Sequence, residues 1–235
     1  MTQNLPKSDT LLATSWITWL LVVAATVVAR GEPATEPPTS APNASVLPNG
    51  DFEKADAVDR AKPIGWDKPD GLGIQWVNAP GEPGRGKVIR MDTAVSEKAM
   101  VNQWRKMGIT QWNIPQPAGN PIAETYGLSY YSVPVPVRAG QAYQVSFDFK
   151  GPAGGKVWVR GWGMYQGEKR RRYETIVFCR GKENQWTTFR QTFHPTRNRP
   201  EVTEMRVMLY AYYPAGVYWF DNVRLEPVSE TPKPK

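Results

Sequence analysis

The chain has 235 residues, a net charge of +7, one cysteine and one histidine. Cys179 alone excludes an intrachain disulfide and a cysteine-based zinc site, and His194 alone excludes a histidine-rich metal centre. What stays open is chemistry run by carboxylates, Tyr, Ser or Lys, and a basic surface suited to anionic partners.

In chain order, a polar start carrying Lys7 leads into an apolar run from Ile17 to Ala29. The run is about 13 residues, the length of a signal-peptide core and short for a membrane span. Residues 1–29 are therefore expected to be a signal peptide, or a membrane anchor if left uncleaved. Either places the protein outside the cytoplasm, secreted or in the cell envelope. Residues 30–45, rich in Pro, Ala, Thr and Ser, read as a linker that cannot bury a core, and 228–235 as a similar tail. Between them, 46–227 is one domain-sized block. It opens with "NGDFE" (Asn49–Glu53), where Asp51 and Glu53 flank the first core aromatic, Phe52.

Met100, Trp104 and Met107 recur at helical spacing within Val95–Gly108, which predicts one short helix. The segment 95–126 as a whole reads as a partly irregular insertion. Beyond it the pattern changes to period two. In "QAYQVSFDFKG", Tyr143, Val145, Phe147 and Phe149 share one face. In "SYYSVPVPVRAG", Tyr131, Val133, Val135 and Val137 are expected on one face and the prolines on the other. Five more short apolar runs follow, separated by Gly, Pro and Asn. Regular short strands with one helical exception predict an all-β jelly-roll β-sandwich.

"VLPNGDFE", "PIGW", "VPVRAGQAYQVSFDFKG", "QWTTFRQTF" and "VYWFDNVRLEP", in that order, resemble carbohydrate-binding modules of the family 4/9/22 type, within the galactose-binding-like jelly-roll superfamily. The resemblance covers about 46–227, and residues 95–126 lie outside its usual pattern. It implies a structural calcium ion where the first and last strands meet, here with Asp51, Glu53 and Asp221 as ligands. Calcium takes six to eight oxygen donors, mostly carboxylates and carbonyls.

Strand parity singles out the binding residues. In "KVWVRGWGMYQG", Val157 and Val159 point inward, so Trp158, Arg160 and Trp162 share the opposite face. In "EMRVMLYAYYP", Val207 and Leu209 point inward and Arg206, Tyr210 and Tyr212 outward. If the two strands share a sheet, rings and guanidinium groups line its outer surface. Flat rings stack on the C–H face of a pyranose, and Arg selects hydroxyls, carboxylates or sulfates. The competing reading is a second buried face covered by 95–126, with Trp104 and Trp112 packed on Trp158 or Trp162. The expected function is non-catalytic binding of a polysaccharide or glycan, anionic ones included. A structural or adhesive envelope protein is the alternative, and a glycoside hydrolase or polysaccharide lyase ranks last. Glu124, Asp148, Glu174 and Asp221 show no spacing that marks a catalytic pair. "GEKRRRYE" (Gly167–Glu174), the densest basic run, is expected to be an exposed loop. No nucleic-acid recognition motif is present.

Overall fold

The computed structural model describes residues 44–229. The strands are β1 (Ile74–Asn78), β2 (Lys87–Asp92), β3 (Leu128–Tyr131), β4 (Val135–Pro136), β5 (Ala142–Lys150), β6 (Lys156–Tyr165), β7 (Glu168–Phe178), β8 (Thr187–Phe193), β9 (Val202–Ala211) and β10 (Val217–Val228). Among the described residues one α-helix, α1 (Glu97–Lys106), and a short 3-10 helix (Ile122–Glu124) lie between β2 and β3. The strands form two antiparallel sheets. The β10 sheet has the order β1-β2-β10-β5-β8, and the β6 sheet the order β3-β9-β6-β7 with β4 also on β9.

The core lies between the sheets. Val145, Phe147 and Phe149 of β5 and Phe220 of β10 come from one side, Val157, Val159, Val207 and Leu209 from the other, all essentially inaccessible to water. Each such side chain contributes about 1.5–3 kcal/mol by leaving water. The opening and closing segments of the domain lie side by side. Val46 donates to the Leu225 carbonyl at 2.8 Å, and Val223 to the Gly50 carbonyl at 2.8 Å. Only glycine fits at position 50, where a Cβ would overlap the Val223 carbonyl. Phe52, fully buried, follows at φ 58°, in the left-handed region.

The predicted helix is present. Ser96 caps it by accepting from the Ala99 N–H at 3.2 Å, and Met100 and Val101 bury its inner face. Gln103 ties it to the Asp70 carbonyl at 2.6 Å.

Two local readings need correction. "GEKRRRYE" is mostly strand: β7 begins at Glu168, and the turn is Gln166–Gly167, both at positive φ. That is the two-residue turn whose twist suits a hairpin. In the segment before β5, Tyr130 points inward and is 2 % exposed, whereas Val133 is 38 % exposed. The alternation breaks at Ser132, whose hydroxyl accepts from the Val207 N–H at 3.0 Å and takes the buried place an apolar residue would have filled. Tyr131 consequently faces outward with β9's polar row.

The signal-like segment, the linker up to residue 43 and residues 230–235 lie outside the described residues. Among the described residues no helix is long and apolar enough to cross a membrane.

Candidate functional site

β6 and β9 are adjacent and in register. Trp158 sits opposite Met208, Arg160 opposite Arg206, Trp162 opposite Glu204 and Lys156 opposite Tyr210. The inward Val157, Val159, Val207 and Leu209 of these strands are buried, so alternation turns Trp158, Arg160, Trp162, Arg206 and Tyr210 to the outer face of the β6 sheet. Tyr212 follows just beyond the end of β9 and stacks on Tyr210, ring centroids 6.1 Å apart. All six expected binding residues are thus on one surface, each half-buried. From Tyr210 to Glu204 the face extends about 20 Å along the strand.

The rows across this face differ in character. One carries Tyr131, Met208, Trp158 and Ile176 from β3, β9, β6 and β7. Its apolar floor is closed by Met208, 3 % exposed. Trp158 keeps its indole nitrogen buried and, among the described residues, without a hydrogen-bond partner, so the side chain offers solvent only carbon. The next row pairs the two arginines. Arg160 donates to Glu174 at 2.8 Å and to the Tyr131 hydroxyl at 3.2 Å, and its guanidinium lies 4.8 Å from the Trp158 ring centre. Arg206 donates to the Ser132 carbonyl at 2.6 Å and to Asp67 at 3.2 Å, with Tyr131 beneath it at 4.9 Å. Such contacts hold a planar donor fork in one orientation while leaving other N–H groups for a ligand. Burial, with Tyr212 adding to it, raises the Tyr210 phenol above its ordinary range, so it stays neutral; it donates to the Tyr126 carbonyl at 3.0 Å.

The insertion meets the tyrosine end of this surface, where the Tyr126 carbonyl accepts from the Tyr210 hydroxyl. The ring contacts of Trp104 and Trp112 are with each other and with Tyr126, at 6.3–6.4 Å, and not with Trp158 or Trp162. Tyr130, on the neighbouring β3, is a core residue stacked on Trp66. Tyr131, Glu174 and Lys156 were missed. Only cross-strand register reveals them, and the break at Ser132 hides Tyr131.

Two of the three carboxylates expected to hold calcium have other partners. Asp51 is exposed, and Glu53 accepts from the Lys87 N–H at 2.7 Å. Asp221, 1 % exposed, is held by Arg85 at 2.9 Å. Among the described residues no group of three or more His, Cys, Asp or Glu side chains could share a metal ion. The positive charge at Asp221 comes from the chain itself. Arg85, on the Ala79–Gly86 loop between β1 and β2, also binds Asp148 at 3.1 Å and lies 3.9 Å above the Trp186 ring. Glu82 of the same loop binds Lys150 at 2.5 Å. The loop straps the outer face of the β10 sheet. Burial pushes Asp221 up to about 6 against the pull of Arg85. Burial also acts to raise Asp148, but hydrogen bonds from Thr188, Asn222 and Arg85 outweigh it and hold that carboxyl low.

Two antiparallel sheets packed face to face, with the first and last segments of the domain adjacent, settle the architecture. The fold is a jelly-roll β-sandwich. No protein-family model matches the chain, and no curated protein does. Solved structures that resemble it include carbohydrate-binding modules of families 4, 16, 22 and 61. A family 61 module in complex with β-1,4-galactotriose is 14% identical, with 78% of this chain and 99% of that chain covered at a TM-score of 0.41. A family 22 xylan-binding domain from Paenibacillus barcinonensis is 11% identical, covering 77% and 93% at 0.40. The enzymatically active domain of bacteriophage CBA120 tailspike protein 4 is 10% identical at 0.47, covering 78% of this chain and 21% of that one. The jelly roll thus spans about a fifth of the tailspike chain, and the likeness in every case is one of fold.

Proposed function

We propose that this jelly roll binds a polysaccharide without transforming it, on the outer face of the β6 sheet. The observation that carries this reading is the gathering of Trp158, Arg160, Trp162, Arg206 and Tyr210 by one β6–β9 register onto one surface, with Tyr212 at its end. Half-exposed rings supply apolar contact to sugar C–H groups, and the arginines supply directed donors to hydroxyl or acidic substituents. Hydrolysis by the usual two-carboxyl route needs a pair facing one sugar. On this face Glu174 is bound by Arg160 and Arg171, and Glu204 by Lys169, which supports binding over catalysis.

The test is affinity electrophoresis of the protein through gels containing a panel of neutral and acidic polysaccharides. At least one polymer should retard the wild type, and Trp158→Ala should restore free migration while keeping its cooperative unfolding transition. Retardation unaffected by Trp158→Ala and Trp162→Ala would place the ligand elsewhere.

A further inference from the structure

β7 is an edge strand of the β6 sheet, and the loop between β8 and β9 lies beside it. Between them opens a cleft of about 310 Å³ whose lining includes Arg172, Glu174, His194, Asn198 and Arg199. The charge here is concentrated. Glu168–Glu174 carries four cations against two carboxylates, and His194–Glu201 two arginines against one glutamate. These fifteen residues thus carry a net +3 of the chain's +7.

The carboxylates present are already engaged. Glu174 is held by Arg160 at 2.8 Å and Arg171 at 3.2 Å, and Glu201 by Arg172 at 2.7 Å. Arg172 uses Nε for Glu201, and the Tyr165 ring lies 3.7 Å from its guanidinium, which fixes the plane of the fork; its Nη groups have no partner among the described residues. Arg199 is exposed and donates to the Asn198 carbonyl at 2.6 Å. Oriented guanidinium donors around a cleft suit a planar carboxylate or a tetrahedral sulfate, which accept two parallel N–H bonds. Glu174 belongs to both places: it lines the cleft and anchors Arg160 of the ring-bearing face. Arg171, its other partner, pairs with Trp162 in the β6–β7 register.

We infer that this cleft is an oxyanion subsite at the Trp162 end of the glycan surface, which gives the protein preference for polysaccharides bearing carboxylate or sulfate groups. The inference rests on the reading of the β6–β9 face as a glycan platform.

The experiment titrates the full chain with two matched pairs: polygalacturonate against its methyl ester, and dextran sulfate against dextran. Wild type, Arg199→Gln, Arg172→Gln and Trp158→Ala are compared. The wild type should bind the acidic member of at least one pair more tightly, with affinity falling as salt is raised. The pair that shows the preference tells carboxylate from sulfate. Arg199→Gln should lower affinity for that acidic polymer about tenfold and leave the neutral partner unchanged. Arg199 is exposed, so the variant keeps its fold. Trp158→Ala should weaken both members of the pair. Equal wild-type affinity for acidic and neutral partners, or an acidic preference untouched by both arginine variants, overturns the subsite while leaving the platform standing. Binding that depends on Arg199 but not on Trp158 overturns the platform instead.

Discussion

The two sheets present similar residues on their outer faces and use them in opposite ways. On the β10 sheet, Trp186, Lys150, Asp148 and Asp221 are engaged by a loop of the same chain: Arg85 bridges the two aspartates and stacks on Trp186, and Lys150 pairs with Glu82. On the β6 sheet, Arg160 and Arg206 donate to neighbouring strands and rim residues, and the Trp158 indole nitrogen has no hydrogen-bond partner among the described residues. Tryptophan beside arginine is therefore not by itself a binding signature. What separates glue from platform is whether the chain supplies its own partner for the face.

The largest effect that could break this contrast is at the strap. Arg85→Met leaves a nearly inaccessible carboxylate without its cation, so stability should fall by about 3–5 kcal/mol at neutral pH, read by urea unfolding. The loss should shrink at lower pH, where Asp221 is protonated. A variant as stable as wild type would mean the strap holds nothing. On the opposite face, Trp158→Ala should cost about tenfold or more in glycan affinity with a smaller change in unfolding free energy. Unfolding without any separable loss of binding would make Trp158 a core residue.

The pH dependence sharpens the same contrast. The folded state holds the Asp221 proton up to about 6, against an ordinary value of 3.8, so between those pH values it binds more protons than the unfolded chain. This group's contribution to stability is therefore greatest below that window and declines as pH rises through it. Asp148, held low, acts the other way, its contribution being lost as pH falls through its folded value. Asp221→Asn should gain stability relative to wild type as pH rises from about 4 to 6, measured by urea unfolding at stepped pH. A pH-independent difference would contradict the burial of that charge. A smaller effect is expected for Tyr212→Ala, at the end of the platform: about threefold in affinity, measurable by titration calorimetry.

Much of the fold was legible because burial on one face of a strand leaves a period-two trace. Tyr143 to Phe149, Val157 with Val159, and Val207 with Leu209 were assigned correctly on that ground alone, and the same parity put the platform residues outward. The misreadings arose where a local interaction replaces the pattern. Ser132 enters the interior on a backbone hydrogen bond and reverses the parity of Tyr131 and Val133. The basic run of β7 carries charge on a sheet edge, where strand and loop look alike in sequence. Arg85 left no trace at all: its role depends on two aspartates that lie 63 and 136 residues away. The resemblance brought Asp221 to notice, but the residue that neutralises it could be found only in three dimensions.

The most direct measurement sets one tryptophan from each face side by side. Trp158→Ala and Trp186→Ala are compared with wild type for affinity to the best-retained polysaccharide and for unfolding free energy. Trp158→Ala should lose most of the affinity and little stability, and Trp186→Ala, which removes the ring under Arg85, should lose stability and keep the affinity. The reverse pattern would move the binding surface to the strapped sheet and contradict the division of labour between the two faces.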